Sequence, residues 1–416
     1  MKSFRLFVAL LGLLILSSVV VGLGKGEKVD TGLDLSKNAL RFFRSGDDVY
    51  LLVGNELARL EGKTAVAIAL PEGAKRVEFL AGQHLVHRDG DACPSPAGQA
   101  LMIIDSKMYT IIGDKAELVD PEFLAGDPNA PPDPYRKPLD FQFAAYNLEF
   151  PYFLALEQLC RLEGTKVVAV KIPGEIPSPI LAAANDTPVL ISQNQLWVYE
   201  DDTFKLVTAE NGEKLRLPPV NTIKECGGYL ALALVTGDTR ICQLNGTVLK
   251  TVDGLESIQE LHREYLFGVS DMPFVVKDGQ IHTLSESGVK LFEPAKGVRG
   301  VVTLLSAGEA AVVETKGDDD ESKFYRLDKQ SCRLITGAKE FSYLGYDHDP
   351  QILASDSTVA IIGHNGDERL CGVVDENGKF KRLKGIDSLD AASATGFYGV
   401  QGSRDNRTIV FYSTAD

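Results

Sequence analysis

Two stretches of the chain repeat each other, and this repeat constrains the fold more than any other feature. Tyr50 to Pro71 reads YLLVGNELARLEGKTAVAIALP, and Tyr152 to Pro173 reads YFLALEQLCRLEGTKVVAVKIP, with ten identical positions in an alignment without gaps. Each copy has an apolar run, a short polar turn, a second alternating run and a Gly-containing turn before a third run. This order predicts consecutive antiparallel strands. The repeated unit is therefore a β-meander.

Weaker copies of the same pattern continue along the chain. One apolar residue marks the equivalent position in each copy. These marker residues are Leu57, Met108, Leu159, Leu196, Ile241, Ile281, Phe324, Leu370 and Ile409. They lie 37 to 51 residues apart, close to the roughly 40 to 50 residues of one four-stranded propeller blade.

On these copies the chain resembles β-propeller proteins over nearly all of its length after residue 35. The resemblance is to the architecture and not to one family, because the single tryptophan, Trp197, cannot supply the repeated Trp-Asp of WD40 blades. It implies an all-β ring, in which blades cover each other's apolar faces. Because the copy at Ile409 is truncated, we expect seven or eight blades, with eight preferred. Strands near Asp30 to Ser36 are expected to complete the last blade. The alternative is two stacked β-rich domains divided near residues 120 to 140.

The start of the chain is typical of a targeting segment. Lys2 and Arg5 precede an uncharged apolar stretch, Leu6 to Gly24, close to the roughly 20 residues that span a bilayer as a helix. We therefore assign residues 1–28 to a signal peptide or a membrane anchor, with membrane association through residues 6–24. Residues 29–416 are then a single propeller domain. Since the basic flank precedes the apolar run, we expect the domain to be extracytoplasmic, either secreted, periplasmic or anchored facing outward.

The charge of the chain is acidic. It has 43 Lys and Arg against 58 Asp and Glu, a formal net charge of −15. Nucleic acids are bound through clustered Lys and Arg. We therefore expect no nucleic-acid partner, and a protein partner instead.

Six cysteines are spread too widely for a Cys-x-x-Cys site. Cys160, Cys242 and Cys371 each follow a marker residue, which predicts small buried side chains at one repeat position. Cys226 and Cys242 flank one predicted hairpin. They are the one pair that we single out as a candidate disulfide.

Residues 120–140 depart from the repeat. Six prolines in this stretch exclude a regular strand and predict a surface insertion between blades. Long loops on rigid scaffolds often bind partners, and the alternative is a tolerated insertion. The candidate partner-binding residues of this loop are Pro131, Pro132, Pro134, Tyr135 and Arg136.

Three clusters of potential metal ligands are interpreted as turns. His84, His87, Asp89, Asp91 and Cys93 have suitable side chains, but two histidines three apart in a strand face opposite sides. The run 318–321 is acidic but lacks the alternating spacing that wraps Ca²⁺. Residues 347–349 precede a proline. We expect no cofactor, with Ca²⁺ as the alternative.

No catalytic motif such as Gly-x-Ser-x-Gly occurs, and we assign no catalytic residue. The favoured hypothesis is a non-enzymatic binding scaffold that holds a protein partner through a propeller rim or the Pro-rich loop. One alternative is an extracytoplasmic hydrolase or lyase with carboxylates lining the channel. Another is a sensor domain for a small ligand or cation. Fold alone does not decide between them.

Overall fold

The computed structural model is a ring of nine sheets, in which the four strands of each blade are antiparallel. It describes residues 26–36, 40–45, 47–75, 77–81, 83–84, 100–105, 107–120, 142–144, 152–155, 158–163, 165–173, 176, 180–184, 187–256, 266–269, 272–285, 287–307, 310–316, 322–337, 351–355, 358–365, 368–403 and 406–414. Within these ranges, no helix has the length and apolar character needed to cross a membrane. Residues 1–25, which hold most of the predicted targeting segment, lie outside them.

The strands are numbered in chain order, and each blade is given from its innermost to its outermost strand. The chain begins with β1 (Glu27–Lys28), which belongs to the last blade. Blades 1 to 3 contain β2 (Leu40–Ser45), β3 (Asp48–Val53), β4 (Glu56–Glu61) and β5 (Thr64–Ile68); β6 (Val77–Ala81), β8 (Leu101–Ile104), β9 (Lys107–Ile112) and β10 (Lys115–Leu118); and β11 (Gln142–Ala144), β12 (Tyr152–Ala155), β13 (Gln158–Glu163) and β14 (Lys166–Val170). Between β6 and β8 lies β7 (Gln83–His84), which pairs with the inner edge of β2.

Blades 4 to 6 contain β15 (Ile180–Ala184), β16 (Thr187–Ser192), β17 (Gln195–Glu200) and β18 (Thr203–Leu206); β20 (Val220–Cys226), β21 (Tyr229–Leu234), β22 (Thr239–Asn245) and β23 (Val248–Thr251), with the short β19 (Thr208–Ala209) alongside β23; and β24 (Leu266–Val269), β25 (Met272–Lys277), β26 (Gln280–Ser285) and β27 (Gly288–Leu291). A 3₁₀ turn, Glu293–Ala295, follows β27.

Blades 7 to 9 contain β28 (Val301–Ala307), β29 (Ala310–Lys316), β30 (Ser322–Leu327) and β31 (Cys332–Leu334); β32 (Gln351–Ser355), β33 (Thr358–Asn365), β34 (Glu368–Val374) and β35 (Phe380–Arg382); and β36 (Ser388–Ser393), β37 (Gly396–Gln401) and β38 (Thr408–Ser413), completed by β1.

The nine marker residues correspond one to one with the blades. Each lies on the third strand of its blade, and each is buried. The architecture is therefore confirmed, but the expected count of seven or eight blades is wrong. The copy at Ile409 is a full ninth blade, because only the fourth strand follows a marker and that strand comes from the other end of the chain.

The two ends of the described chain meet in blade 9. Glu27 and Lys28 pair with Phe411 and Val410 of β38, and the N–H of Val29 donates to the carbonyl of Ile409 at 2.8 Å. We expected the closing strand near Asp30 to Ser36, but it lies just before this stretch, at Glu27–Lys28. It begins two residues before the predicted domain boundary at 29. Ring closure by both ends leaves blade 9 without a missing strand.

The hydrophobic core is distributed between blades. Nine clusters of buried apolar side chains each join two consecutive blades, including one that joins blade 9 to blade 1 through Val29, Leu51 and Tyr398. Side chains alternate along a strand, so each blade buries one set against each neighbour. A closed series of nine interfaces forms one ring and not two stacked domains.

Candidate functional site

The outer rim of the ring is held by a recurring hydrogen-bond pattern. At the end of an outermost strand, one residue bonds back to the marker region of its own blade, as Val207 N–H does to the carbonyl of Leu196 at 2.9 Å. The next residue then donates its N–H to the carbonyl just before the outermost strand of the following blade. In its complete form, the residue two positions after that carbonyl donates its own N–H back to the carbonyl of the first donor residue. We call this contact the rim latch.

Five blade junctions carry a rim latch. At the 1/2 junction, Ala69 N–H donates to Asp114 O, and the Ala69 carbonyl accepts from Ala116 N–H, both at 2.8 Å. The donor and acceptor pairs at the 9/1, 2/3, 4/5 and 7/8 junctions are Asp30 to Lys63 (3.0 Å), Asp120 to Thr165 (2.8 Å), Thr208 to Thr247 (2.9 Å) and Thr336 to Gly378 (2.9 Å). The outermost strands of consecutive blades are thereby linked at five of the nine junctions.

Among the described residues, the 5/6 junction lacks this bond, as do the 3/4, 6/7 and 8/9 junctions. Val252 N–H donates to Ile241 O at 3.0 Å, which makes Asp253 the equivalent of the latch donors. Its expected partners are Ser287 O and Val289 N–H, by register with the Ser285–Gly288 turn. Among the described residues, neither bond is made. A groove of about 530 Å³ opens there, and its lining includes Asp253, Ser287, Gly288 and Val289.

The other groove residues come from blade 6. Lys277, Asp278 and Gln280 surround the β25–β26 turn, and His282 and Leu291 lie on β26 and β27. The lining is mostly polar, with apolar surface from Val289 and Leu291. Ligand pockets for small molecules are usually enclosed and mainly apolar. This open, polar groove at a strand end is better suited to a polypeptide.

The Lys277 side chain, which lines the groove, has its amine beside Gly254. Gly254 has φ +76°, and a Cβ there would lie 3.0 Å from the Lys277 Nζ. Gly254 N–H donates to the Glu256 carboxylate at 2.9 Å, and Arg240 donates to the Glu256 backbone carbonyl at 3.3 Å. Hydrogen bonding from Gly254, helped by Lys277 and Arg240, lowers the pKa of Glu256. The positive charge of Lys277 thus favours the ionised form of Glu256.

The sequence did not reveal this site. Asp253-Gly254 and Asp278-Gly279 are typical turn pairs. The identity of the latch donor carries no signal either, because Asp30 and Asp120 occupy the same position in closed latches. The open latch at Asp253 is therefore visible only in the structure.

The loop proposed to bind a partner, with Pro131, Pro132, Pro134, Tyr135 and Arg136, lies outside the described residues. It connects β10 to β11. The acidic runs 318–321 and 347–349 also lie outside them, as do His87, Asp89, Asp91 and Cys93. Of that last cluster, only the backbone at His84 is described, and it pairs with Phe43 on the inner edge of blade 1.

Within the described ranges, no group of three or more His, Cys, Asp or Glu side chains could hold a metal ion.

The candidate Cys226–Cys242 disulfide does not form. Cys226 lies on β20 and Cys242 on β22, with β21 between them. Two strand spacings are about 9.6 Å, whereas a disulfide needs Cα atoms within about 7 Å. The two side chains also belong to different interfaces, Cys226 to the 5/6 cluster and Cys242 to the 4/5 cluster.

Cys160, Cys242 and Cys371 do occupy one repeat position. Each lies on the third strand of its blade and is buried. Burial raises the pKa of the Cys160 and Cys242 thiols to about 11. Thiols of this kind are inert packing groups.

The identities shared by the two strongest copies form cross-strand clusters. Tyr50 lies opposite Arg59, and Tyr152 lies opposite Arg161. Arg59 bonds the Glu61 carboxylate at 2.8 Å and the carbonyl of Gly113 in blade 2 at 3.0 Å. Arg161 bonds Glu163 in the same way. In blade 1 this cluster contributes to the junction with blade 2 and has a structural role.

No protein-family model and no curated protein matches this chain. Solved structures with a similar chain trace include a eukaryotic initiation factor, which is 11% identical over 83% of this chain and 90% of that one, with a TM-score of 0.43. The WD40 domain of SCAP from fission yeast is 12% identical over 76% and 93%, with a TM-score of 0.36. YCF48 from Cyanidioschyzon merolae is 8% identical over 76% and 91%, with a TM-score of 0.34. The fold assignment rests on the sheet order and blade interfaces described above.

Proposed function

We propose that this chain is a non-enzymatic scaffold that acts outside the cytoplasm and binds a protein partner through the groove between blades 5 and 6. The observation that carries the proposal is the groove at the open rim latch of the 5/6 junction. The open latch leaves the backbone groups of Asp253, Ser287 and Val289 without their expected partners in a groove that is open to solvent. Unmade main-chain bonds at the surface are the usual basis for binding an extended chain.

The acidic character of the chain supports a partner of opposite charge. The formal net charge is −15, and Asp253 and Asp278 are both exposed at the groove. Such a field attracts a basic surface and increases its rate of encounter. The location outside the cytoplasm is supported by the basic and apolar pattern of residues 2–24.

Site-specific photo-crosslinking in the native host tests the binding role. A photoreactive benzoylphenylalanine replaces Ser287 in the full chain, and a control variant carries it at Asp114, the equivalent exposed residue of the closed 1/2 latch. We expect one protein to be captured from position 287 and not from position 114. Equal capture from both positions, or none from 287, contradicts binding at the groove.

An alkaline phosphatase fusion at the C-terminus tests the location. The enzyme becomes active only after export because it requires disulfides. We expect activity in cells, and we expect it to disappear when residues 1–24 are deleted. An inactive fusion of full length contradicts the extracytoplasmic location and leaves the binding role to be judged by the crosslinks.

A further inference from the structure

We infer that the groove between blades 5 and 6 takes an extended polypeptide segment with alternating basic and apolar side chains, whose backbone replaces the missing rim latch. This inference rests on the proposed function and specifies the chemistry of the partner. Its basis is the groove at this junction together with a comparison within the molecule. The same strand positions are bonded directly at five other junctions, and among the described residues they are not bonded at the 3/4, 6/7 and 8/9 junctions.

The backbone requirement follows from the closed latches. At the 1/2 junction, one residue both donates and accepts across the gap, through Ala69 N–H to Asp114 and Ala116 N–H to Ala69. At the 5/6 junction, the corresponding groups are Asp253 N–H and C=O on one side and Ser287 C=O and Val289 N–H on the other. A chain in extended conformation has donors and acceptors on both edges. A single inserted segment can therefore satisfy both sides at once.

The side-chain requirement follows from the lining. Side chains of an extended segment alternate between two faces. Val289 and Leu291 provide apolar surface, and Val289 packs on the 5/6 cluster. Asp253 and Asp278 provide carboxylates, while the Lys277 amine lies beside Gly254. Lys or Arg side chains on one face and Val or Ile on the other match this arrangement.

Three synthetic peptides separate the parts of the inference. The first is acetyl-Thr-Lys-Val-Lys-Val-Lys-Thr-amide with a fluorescent label. The second has Glu in place of each Lys. The third is the Lys peptide with its two Val amides N-methylated, which removes donors and keeps the charge. Binding to the full chain is measured by fluorescence anisotropy at physiological ionic strength.

We expect the Lys peptide to bind at least about tenfold more tightly than either other peptide, a difference of about 1.4 kcal/mol. The double variant Asp253→Asn, Asp278→Asn should weaken the Lys peptide by about tenfold and leave the Glu peptide unchanged or stronger. Amide hydrogen exchange should slow at Asp253 and Val289 when the Lys peptide is bound. The closed-latch residues Ala69 and Ala116 are the control, where no change is expected.

Each outcome has a defined meaning. Equal binding of the Lys and Glu peptides overturns the charge requirement, and equal binding of the N-methylated peptide overturns the backbone bridge. No binding of any peptide, together with partner capture at position 287, overturns this inference and leaves the proposed function standing. Peptide binding without capture in cells contradicts the proposed function instead.

Discussion

The 7/8 and 5/6 junctions occupy equivalent places in the ring but are built differently. At the 7/8 junction, Thr336 donates to Gly378 O and accepts from Phe380 N–H, both at 2.9 Å. Two arginines of blade 7 reinforce this latch. Arg326 donates to the Val374 carbonyl at 3.1 Å, and Arg333 donates to the Glu376 carbonyl at 2.7 Å. At the 5/6 junction, the corresponding latch is open and a groove takes its place.

The comparison shows that the latch is separable from blade packing. Both junctions have a buried apolar cluster, with Val312 and Phe380 in one and Ile241 and Leu266 in the other. Burial of apolar area is the main stabilising contribution in both cases. A rim latch adds hydrogen bonds of about 1 kcal/mol each. A junction can therefore leave its latch open without opening the ring, as the 3/4, 5/6, 6/7 and 8/9 junctions do among the described residues.

The largest effect is expected at the reinforced junction. Arg326 is only 5% exposed, and burial lowers its pKa although Asp328, Asp375 and Glu376 favour the charged form. Arg326→Ala removes its packing and leaves the Val374 carbonyl without this donor. We expect a loss of about 2 to 4 kcal/mol in the free energy of unfolding. Urea titration followed by the fluorescence of Trp197, the single and buried tryptophan, measures it.

Two further variants separate the causes at Arg326. Arg326→Met retains much of the packing and loses the hydrogen bond, so its loss should be smaller, about 1 to 2 kcal/mol. Arg333→Ala removes a bond at an exposed position and should cost less than about 1 kcal/mol. If all three variants unfold at the same urea concentration as the wild type, the arginines do not reinforce this junction.

The second prediction concerns ring closure at the 9/1 junction. Val29 is 2% exposed and packs against residues of blades 1 and 9. Val29→Ala should destabilise the protein by about 2 kcal/mol, because it leaves a cavity where the two chain ends meet. Asp30→Ala is the matched control. Asp30 is exposed and latches through its backbone N–H, so its loss should be below about 0.5 kcal/mol. Equal losses for both variants would mean that β1 does not close the ring.

The sequence predicted the blades better than it predicted their number. The apolar marker positions identified all nine third strands, because burial between blades requires an apolar residue there in every copy. The copy at Ile409 was interpreted as truncated because too few strands follow it, and the strand that completes its blade, Glu27–Lys28, lies about 380 residues away in the chain. Two exposed charged residues carry no strand pattern of their own. Pairing across the chain ends is a property of ring closure, which local patterns do not contain.

The candidate site could not be predicted from the sequence, for a related reason. Rim latches use backbone groups, so the side chain at the donor position is free to vary. Ala69, Thr208, Thr336 and Asp30 all serve as donors. Asp253 resembles them in every local respect. Whether a latch forms depends on how two blades pack together, which many side chains determine jointly.

A proline pair tests the open and closed latches directly. Ala69 and Asp253 are both exposed, and proline at either position removes the backbone N–H. Ala69→Pro breaks the 2.8 Å bond to Asp114 O and should cost about 1 to 2 kcal/mol. Asp253→Pro removes a donor that has no backbone partner among the described residues, so its loss should be smaller by about 1 kcal/mol. Equal losses in urea titrations would show that the 5/6 latch is closed in solution.

The smallest expected effect is at a single hydrogen bond of the closing junction. Gly62 N–H of blade 1 donates to the Tyr398 hydroxyl of blade 9 at 2.7 Å. Tyr398→Phe keeps the ring in place and leaves this N–H without its acceptor. We expect a loss of about 1 kcal/mol at pH 8. A loss much larger than that would indicate repacking of the aromatic pair that Tyr398 forms with Phe411.

The pH dependence of this loss distinguishes the hydroxyl from the ring. Burial raises the pKa of Tyr398 from its usual 10 to about 12, although the bond from Gly62 opposes this shift. Because the folded state then binds the proton more tightly than the unfolded state, the stability that the hydroxyl contributes is present below pH 10 and is lost as the pH rises toward 12. The difference between wild type and Tyr398→Phe in urea should therefore be constant from pH 7 to 9.5 and shrink above pH 10. A difference that stays unchanged to pH 11.5 would place the Tyr398 hydroxyl in contact with water and weaken the case for a tightly packed closing junction.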